Sequence, residues 1–458
     1  MKSLHLSWQP SKRVERLPIV NDSDPAYTQL PFEIWRKIIA YVVRLAGADS
    51  VDLEDPFAPP SLNEEYPEVD PGVFTDRRSI SLVCAAWRSV VAEISAEYLV
   101  IYSVSHLKSL VKQFQLEFYK RKLGKKRVGE RTLRIDFKIL QPYKPMLAVR
   151  LFRCCPNLLV YINKNGPLNQ PARCTPMEVI RGLVAFCSKT LQRVEWAGPG
   201  EPPRYQDLVL LCNNLPNLRT LRLVSVYTFP FPDSIHAPPL LVLPHVRTLS
   251  LGVIPEPNEL KPEYAVTWDP FLRYMSMHKS QLPSLERFEC DIFPTLTMSF
   301  FLMHGHKIKV FRSTTWSTET ALPEAVAACP NLQSLVILHG SEAMDFPVFH
   351  PTLKKICILP TIDVAVEVPQ RVFKYAVMAP LDFLLKTIER IEAPHLVELR
   401  VRNSGAFSKI LDQKAWLNFW RAKWGARGVQ FCDMSGMLYG NAQNSPPAGE
   451  DPLDFIEG

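Results

Sequence analysis

Apolar residues recur along this chain in two rhythms, and each predicts a different element. The first is helical. Between Leu30 and Val43, Ile34, Trp35, Ile38, Ile39 and Val42 fall at helical spacing behind Pro31, a residue that suits the first turn of a helix. From Arg77 to Val91 the same spacing returns in Ile80, Val83, Cys84, Trp87, Val90 and Val91, and it predicts a second helix. Two such helices cannot bury their stripes on each other alone. A third surface is needed, from the rest of the chain or from another protein.

The second rhythm alternates. From about residue 130 one phrase recurs, as Cys155-Pro156-Asn157-Leu158, Leu215 to Leu223, Leu243 to Leu251 and Leu282 to Cys290, then as Cys329 to Ile337, His350 to Ile358 and Ala393 to Val401. Weaker copies stand at Leu191 to Trp196 and Ile308 to Phe311. Each carries Leu-x-x-Leu-x-Leu spacing, which buries alternate residues of a short strand. The steps between anchors include 28 residues from 218 to 246, 24 from 308 to 332 and 21 from 332 to 353. A step of 39, from 246 to 285, predicts an inserted loop at Pro255 to Trp268. Helices return the chain between strands. Thr175-Pro176-Met177-Glu178 carries a capping hydroxyl, a Pro and a Glu three residues after the Thr, and opens one of them. Tyr205 to Cys212, Pro270 to His278, Leu296 to His304, Pro323 to Ala328 and Pro380 to Ile391 fit the same role. About eight to ten strand-helix units are expected, stacked into a curved array. Trp416, Phe419, Trp420 and Trp424 share one helical face before a last strand, Gly428 to Phe431, and are read as its cap.

Two families are recognisable in these residues. Leu30-Pro31-x-Glu33-Ile34, the pair Ile38-Ile39, and Leu82-Val83-Cys84-x-x-Trp87-Arg88 resemble the F-box, the adaptor-docking motif of cullin-RING ubiquitin ligases. The resemblance implies that Leu30, Pro31, Ile34, Ile38, Leu82, Val83, Cys84 and Trp87 include the residues that pack in the module or meet a Skp-type adaptor. The recurring strand phrase, at a period within the ~20 to 29 residues of leucine-rich repeats, resembles that family. An F-box coupled to degenerate repeats is similar to the large set of fungal F-box proteins. The implied fold is α/β, a small helical F-box module followed by an irregular leucine-rich-repeat solenoid. The implied role is the substrate-recognition subunit of a Skp-cullin-F-box ligase, bound through the adaptor to a cullin and through the repeats to a target protein. A repeat scaffold without ubiquitin transfer is the alternative, and a nucleic-acid-associated protein a lesser one.

The chain departs from both families. An ordinary F-box is continuous, whereas here Ala46 to Asp76 separates the halves with nine acidic residues and no Lys or Arg. Pro56, Pro59, Pro60, Pro67 and Pro71 stand in it, and it reads as a solvated loop. Where many leucine-rich repeats place a ladder Asn, this chain has Val226, Ile254, Phe293, Gly340, Thr361 and Ser404. Regular curvature is therefore not expected.

Composition narrows the chemistry. In 458 residues, 47% hydrophobic and 22% charged content describes a folded chain, and 41 prolines suit many short elements. A net charge of +7 over this length demands neither nucleic acid nor membrane. Lys120 to Arg127 is a dense basic run with no base-reading set beside it, so it reads as a solvated loop and disfavours nucleic acid as partner. Ten scattered cysteines form no CxxC pair, and no apolar stretch approaches the ~18 residues of a membrane span. The chain is thus read as intracellular, in cytoplasm or nucleus. No catalytic constellation, cofactor loop or metal set is visible, so the chain is not read as an enzyme; His304-Gly305-His306 reads as a polar cap, and Asp382, Glu389 and Glu392 as a solvated helix face.

Function is therefore expected in surfaces. Residues between the buried leucines project from one sheet face, with Arg193, Arg222, Arg287, Lys355 and Arg400 the candidates to bind an acidic or phosphorylated target. The expected layout is a flexible tail at 1–29, the helical module at 30–104 with its insertion at 46–76, the array and cap at 105–432, and an acidic tail at 433–458.

Overall fold

A computed structural model of the chain describes residues 31–58, 71–119, 127–165, 174–197, 201–223, 240–252, 268–290, 298–314, 321–339, 345–360, 374–401, 413–432 and 453. The 1–29 tail, Leu30, most of the basic run, most of the acidic tail, and Val226, Ile254, Phe293, Gly340, Thr361 and Ser404 lie outside these residues.

Alternation of strand and helix makes the fold α/β, with every named strand in one twelve-stranded parallel sheet whose spatial order is the chain order. The strands are β1 Tyr98–Ile101, β2 Arg134–Phe137, β3 Val160–Asn163, β4 Arg193–Trp196, β5 Thr220–Leu223 and β6 Thr248–Leu251. They continue as β7 Arg287–Cys290, β8 Val310–Thr314, β9 Ser334–His339, β10 Lys355–Pro360, β11 Glu398–Val401 and β12 Gln430–Cys432. The helices between them are α4 Val104–Tyr119, α5 Pro145–Cys154, α6 Met177–Cys187, α7 Tyr205–Asn213, α8 Asp269–Met275, α9 Met298–His304, α10 Ala321–Ala327, α11 Ala379–Glu389 and α12 Lys414–Ala426. Ahead of the sheet stand α1 Phe32–Val43, α2 Pro71–Val83 and α3 Ala85–Ser95.

Register explains the core. Leu221, Leu249, Phe288, Phe311, Leu335, Ile356, Leu399 and Phe431 pair in succession across the sheet. Each is buried, and they join one core that runs from Ala96 to Phe431. Burial of each such side chain contributes roughly 1.5–3 kcal/mol, which neighbouring units share because no unit encloses its own strand. The Phe288 and Phe311 rings stack at 6.0 Å and 8° within it.

The polar residue in several copies of the recurring phrase ties its unit to the one before. The Asn157 amide donates to Glu130 O at 2.7 Å, Asn217 to Lys189 O at 2.7 Å and Asn331 to His306 O at 2.6 Å. Ser284 and Thr352 hydroxyls reach Pro244 O at 2.7 Å and Pro330 O at 2.8 Å. In two other units a cation makes the corresponding contact, Lys307 on Leu282 O and Arg427 on Ile391 O. These side chains supply donors to carbonyls that turns leave unpaired. In sequence these rungs stand nine positions before those where the family resemblance places Asn, as Asn217 does before Val226 and Asn331 before Gly340.

Several local expectations need correction. Arg77 to Val91 is not one helix, because Cys84 is extended and its thiol accepts the Trp87 N–H at 3.4 Å, which starts α3. The Thr175 hydroxyl does not cap α6; it donates to Glu201 O at 2.6 Å and accepts from the Trp196 indole at 2.9 Å. Asp382 is buried, not solvated, and it accepts from the indoles of Trp416 at 3.1 Å and Trp420 at 2.9 Å. Those indoles and Trp424 are buried in the core, as the cap reading required. Among the described residues, no helix is long and apolar enough to cross a membrane.

Candidate functional site

Two surfaces carry the residues singled out by sequence, and the chain treats them in opposite ways. In the first, α1 to α3 pack through a small core of Ile39, Val43, Val90, Val91 and Ile94, with Ala40, Ile80 and Trp87 at its edge. Trp87 is half-buried, its ring 5.1 Å from that of Trp35. Ion pairs of Glu93 with Arg36 at 3.3 Å and Arg131 at 3.1 Å tie the helices to the array. The Arg77 guanidinium closes the C-terminus of α1 through Val43 O at 2.9 Å, and burial lowers its pKa to about 10.

The outer side of this module stays apolar and open among the described residues. Pro31, Ile34, Ile38, Leu82, Val83 and Cys84 are all exposed, Leu82 by 70% and Val83 by 60%. Phe32, Tyr41, Val42 and Phe74 are exposed beside them in the sequence and were missed by motif reading, although the spacing of Ile38 and Val42 places both on one face of α1. Leu30 lies outside the described residues.

The second surface is the sheet face opposite the helices. Alternation along each strand puts Arg134 and Asp136, Arg193 and Glu195, Arg222, Ser250, Arg287 and Glu289, Arg312, Lys355, and Glu398 and Arg400 on it, in register. The sequence thus placed the candidate cations on one face. The structure then covers that face with residues 45–58, part of the acidic insertion read as a solvated loop.

This strap is gripped by main-chain contacts. Arg134 donates to Gly47 O at 3.1 Å, and Arg193 to Ser50 O at 3.1 Å and Asp52 O at 2.8 Å. Arg287 donates to Leu53 O at 3.2 Å and Glu54 O at 2.8 Å, and Arg400 to Ala58 O at 3.3 Å. Each guanidinium is also held by a carboxylate two residues away on its own strand, as Arg193 by Glu195 at 2.6 Å and Arg400 by Glu398 at 2.8 Å. That pairing offsets the charge, and the strap carbonyls satisfy N–H donors that a carboxylate cannot reach. Arg222 is buried in register between Glu195 and Ser250.

Apolar anchors fix the strap's position. Phe57 is buried against Val336, Cys357 and Leu359, with Lys355 Nζ 5.2 Å and the Arg400 guanidinium 5.8 Å from its ring centre. Leu45 and Ala48 pack on Tyr98 and Val100, and Leu53 is buried farther along. Nine sheet steps separate β2 from β11. At ~4.8 Å per step that is about 43 Å, more than the ~40 Å that eleven residues from Gly47 to Ala58 span when extended. The side chains of Arg134 and Arg400 reach in to the strap and bridge the difference. Parallel sheets need both faces covered, and here helices cover one and the strap the other.

The His304 pair of the sequence reading has a separate place. His304 is buried, its Nε2 2.7 Å from Met275 O and its Nδ1 3.2 Å from Lys307 Nζ, so it joins α9 to the end of α8; His306 is exposed. No model of a known protein family matches the chain, and no curated protein matches it.

Proposed function

We propose that this chain is the substrate-recognition subunit of a Skp-cullin-F-box ubiquitin ligase. In this reading α1 to α3 form an F-box module interrupted by the strap, and the sheet and its helices form a degenerate leucine-rich-repeat solenoid. The supporting observation is the apolar outer side of the helical module, where Ile34, Ile38, Leu82 and Val83 stand exposed while the inward residues of the same helices fill their own core. Such side chains lose water only against another surface, and burying them contributes ~25 cal/mol per Å². Ubiquitin transfer would then be promoted by proximity, with no bond making by this chain.

The test is co-purification of the full chain with a Skp-type adaptor, against Ile38→Asp and Leu82→Asp variants. Both positions are exposed, so each variant should melt like the parent while adaptor binding falls by at least about tenfold, the effect of losing one interface hot spot of ~1.4 kcal/mol. Folded chain that binds no Skp-type adaptor would reject the ligase reading and leave the repeat scaffold.

A further inference from the structure

The strap has the properties of a ligand held by its own receptor. Between a turn at 46–49 and another at 56–58 it runs without helix or turn, it contributes Asp49, Asp52, Glu54 and Asp55 and no cation, and it meets a face on which arginines and Lys355 outnumber carboxylates. The contacts that hold its backbone are guanidinium-to-carbonyl bonds, which any extended polypeptide can offer. Leu45 and Ala48 anchor its start, and its second half is fixed by two buried side chains four residues apart, Leu53 and Phe57. Both ends continue toward α1 and α2, the helices that carry the open apolar side.

We infer that residues 45–58 are a pseudo-ligand, and that the strand face is a binding groove for an extended acidic segment of a partner protein with an apolar residue four positions before an aromatic one. The inference rests on the reading that the array holds a target and names that target's chemistry. It does not depend on the adaptor, since the groove and the exposed helical residues share no side chain. In the free chain the strap occupies the groove at the ~mM effective concentration of a tethered segment, so an untethered segment competes poorly. A partner gains the groove when the strap lifts. The arginines then exchange one set of carbonyls for another, and the acidic side chains of the incoming segment are drawn by the net positive face.

The test uses the full chain and a fluorescein-labelled peptide with the sequence of residues 45–58. A Leu53→Ala/Phe57→Ala chain should bind this peptide at least about 100-fold more tightly than the parent, because the second half of the tethered competitor has lost its anchors. Replacing the peptide's Asp and Glu by Asn and Gln should weaken binding about tenfold at low salt and less at high salt. Cys357, buried beneath Phe57 with its thiol 3.9 Å from Pro56 O, reports the strap directly. In the double variant, maleimide should label Cys357 at least about tenfold faster than in the parent, and peptide should restore protection, while Cys290 on the helix side stays slow. A folded double variant that neither binds peptide nor exposes Cys357 overturns the inference, and equal binding of the amidated peptide overturns its acidic class. If the double variant does not fold, the parent decides. Cys357 labelling faster than Cys290 supports a strap that lifts, and equal rates make the strap an inseparable layer of the fold.

Discussion

Lowering the pH from 7 to 5 is expected to destabilise the array through His304. Its Nε2 faces a carbonyl and so carries the proton, and its Nδ1 accepts from the Lys307 ammonium, which selects the neutral ring, while the bond to Met275 O pulls weakly the other way. Burial first, and then the charges of Lys307 and His306, hold its pKa down to about 4. An unfolded histidine titrates near 6.5, so between these values unfolding takes up a proton. The stability this group supplies is complete above about pH 6.5 and is lost as the pH falls towards 4. The two values give a ceiling of ~3 kcal/mol and about 2 kcal/mol between pH 7 and pH 5. His350, buried with its Nε2 3.1 Å from Cys329 O, has a pKa lowered by burial and adds the same sign, so a variant must isolate the first group. His304→Gln serves, because an amide can donate to Met275 O and accept from Lys307 without titrating. Urea unfolding of both proteins at pH 7 and pH 5 should show the parent losing about 2 kcal/mol more than the variant. Equal losses would refute the assignment of a neutral, buried imidazole at this junction.

Other substitutions separate steric from polar contributions. Gly305→Ala would bring a Cβ to 2.2 Å from Ala328 O, a backbone atom of the next unit, and should lower stability by about 1–3 kcal/mol in the same urea assay. Gly425→Ala in α12 meets nothing within 4 Å and should raise it by roughly 0.5–1 kcal/mol. Asn331→Ala removes one rung of the ladder on an exposed turn and should cost about 1 kcal/mol, seen as a lower urea midpoint at unchanged slope. In native thiol labelling followed by mass spectrometry, exposed Cys84 should react first, whereas burial raises the Cys187 pKa to about 12 and keeps that thiol inert.

Much of the array was legible because its signals are local. The alternation Leu218, Leu221, Leu223 states which side of a strand is buried, and the recurring phrase marks where most of the array's strands fall. The shared face of Arg193, Arg287, Lys355 and Arg400 follows from the same alternation. Its covering does not, because the strap's partners lie far away in the chain and its contacts use backbone carbonyls, which every residue type possesses. Charge offered a clue: an acidic stretch free of Lys and Arg and a row of arginines in one chain are complementary. Asp382 was misread for a related reason. Helical spacing alone does not reveal that two indole N–H groups from α12 will seek its carboxylate. The pattern at Leu82, Val83 and Cys84 marked side chains that the module leaves outside, although periodicity merged the two helices that Cys84 divides.

The clasp between Arg400 and Ala58 joins residues 342 positions apart, with consequences for biogenesis. At a ribosomal speed of 5–20 residues per second, Ala58 is made roughly 17–70 s before its arginine exists. During that interval the ribbon can be taken up arginine by arginine, first by Arg134, then by Arg193 and Arg287, while its tip waits for the last. Arrays with neighbour-only contacts can mature stepwise from one end. Here the last clasp closes at the far end, so a product truncated before β11 would keep the tip of its ribbon at Ala58 unfastened and offer quality-control factors a handle.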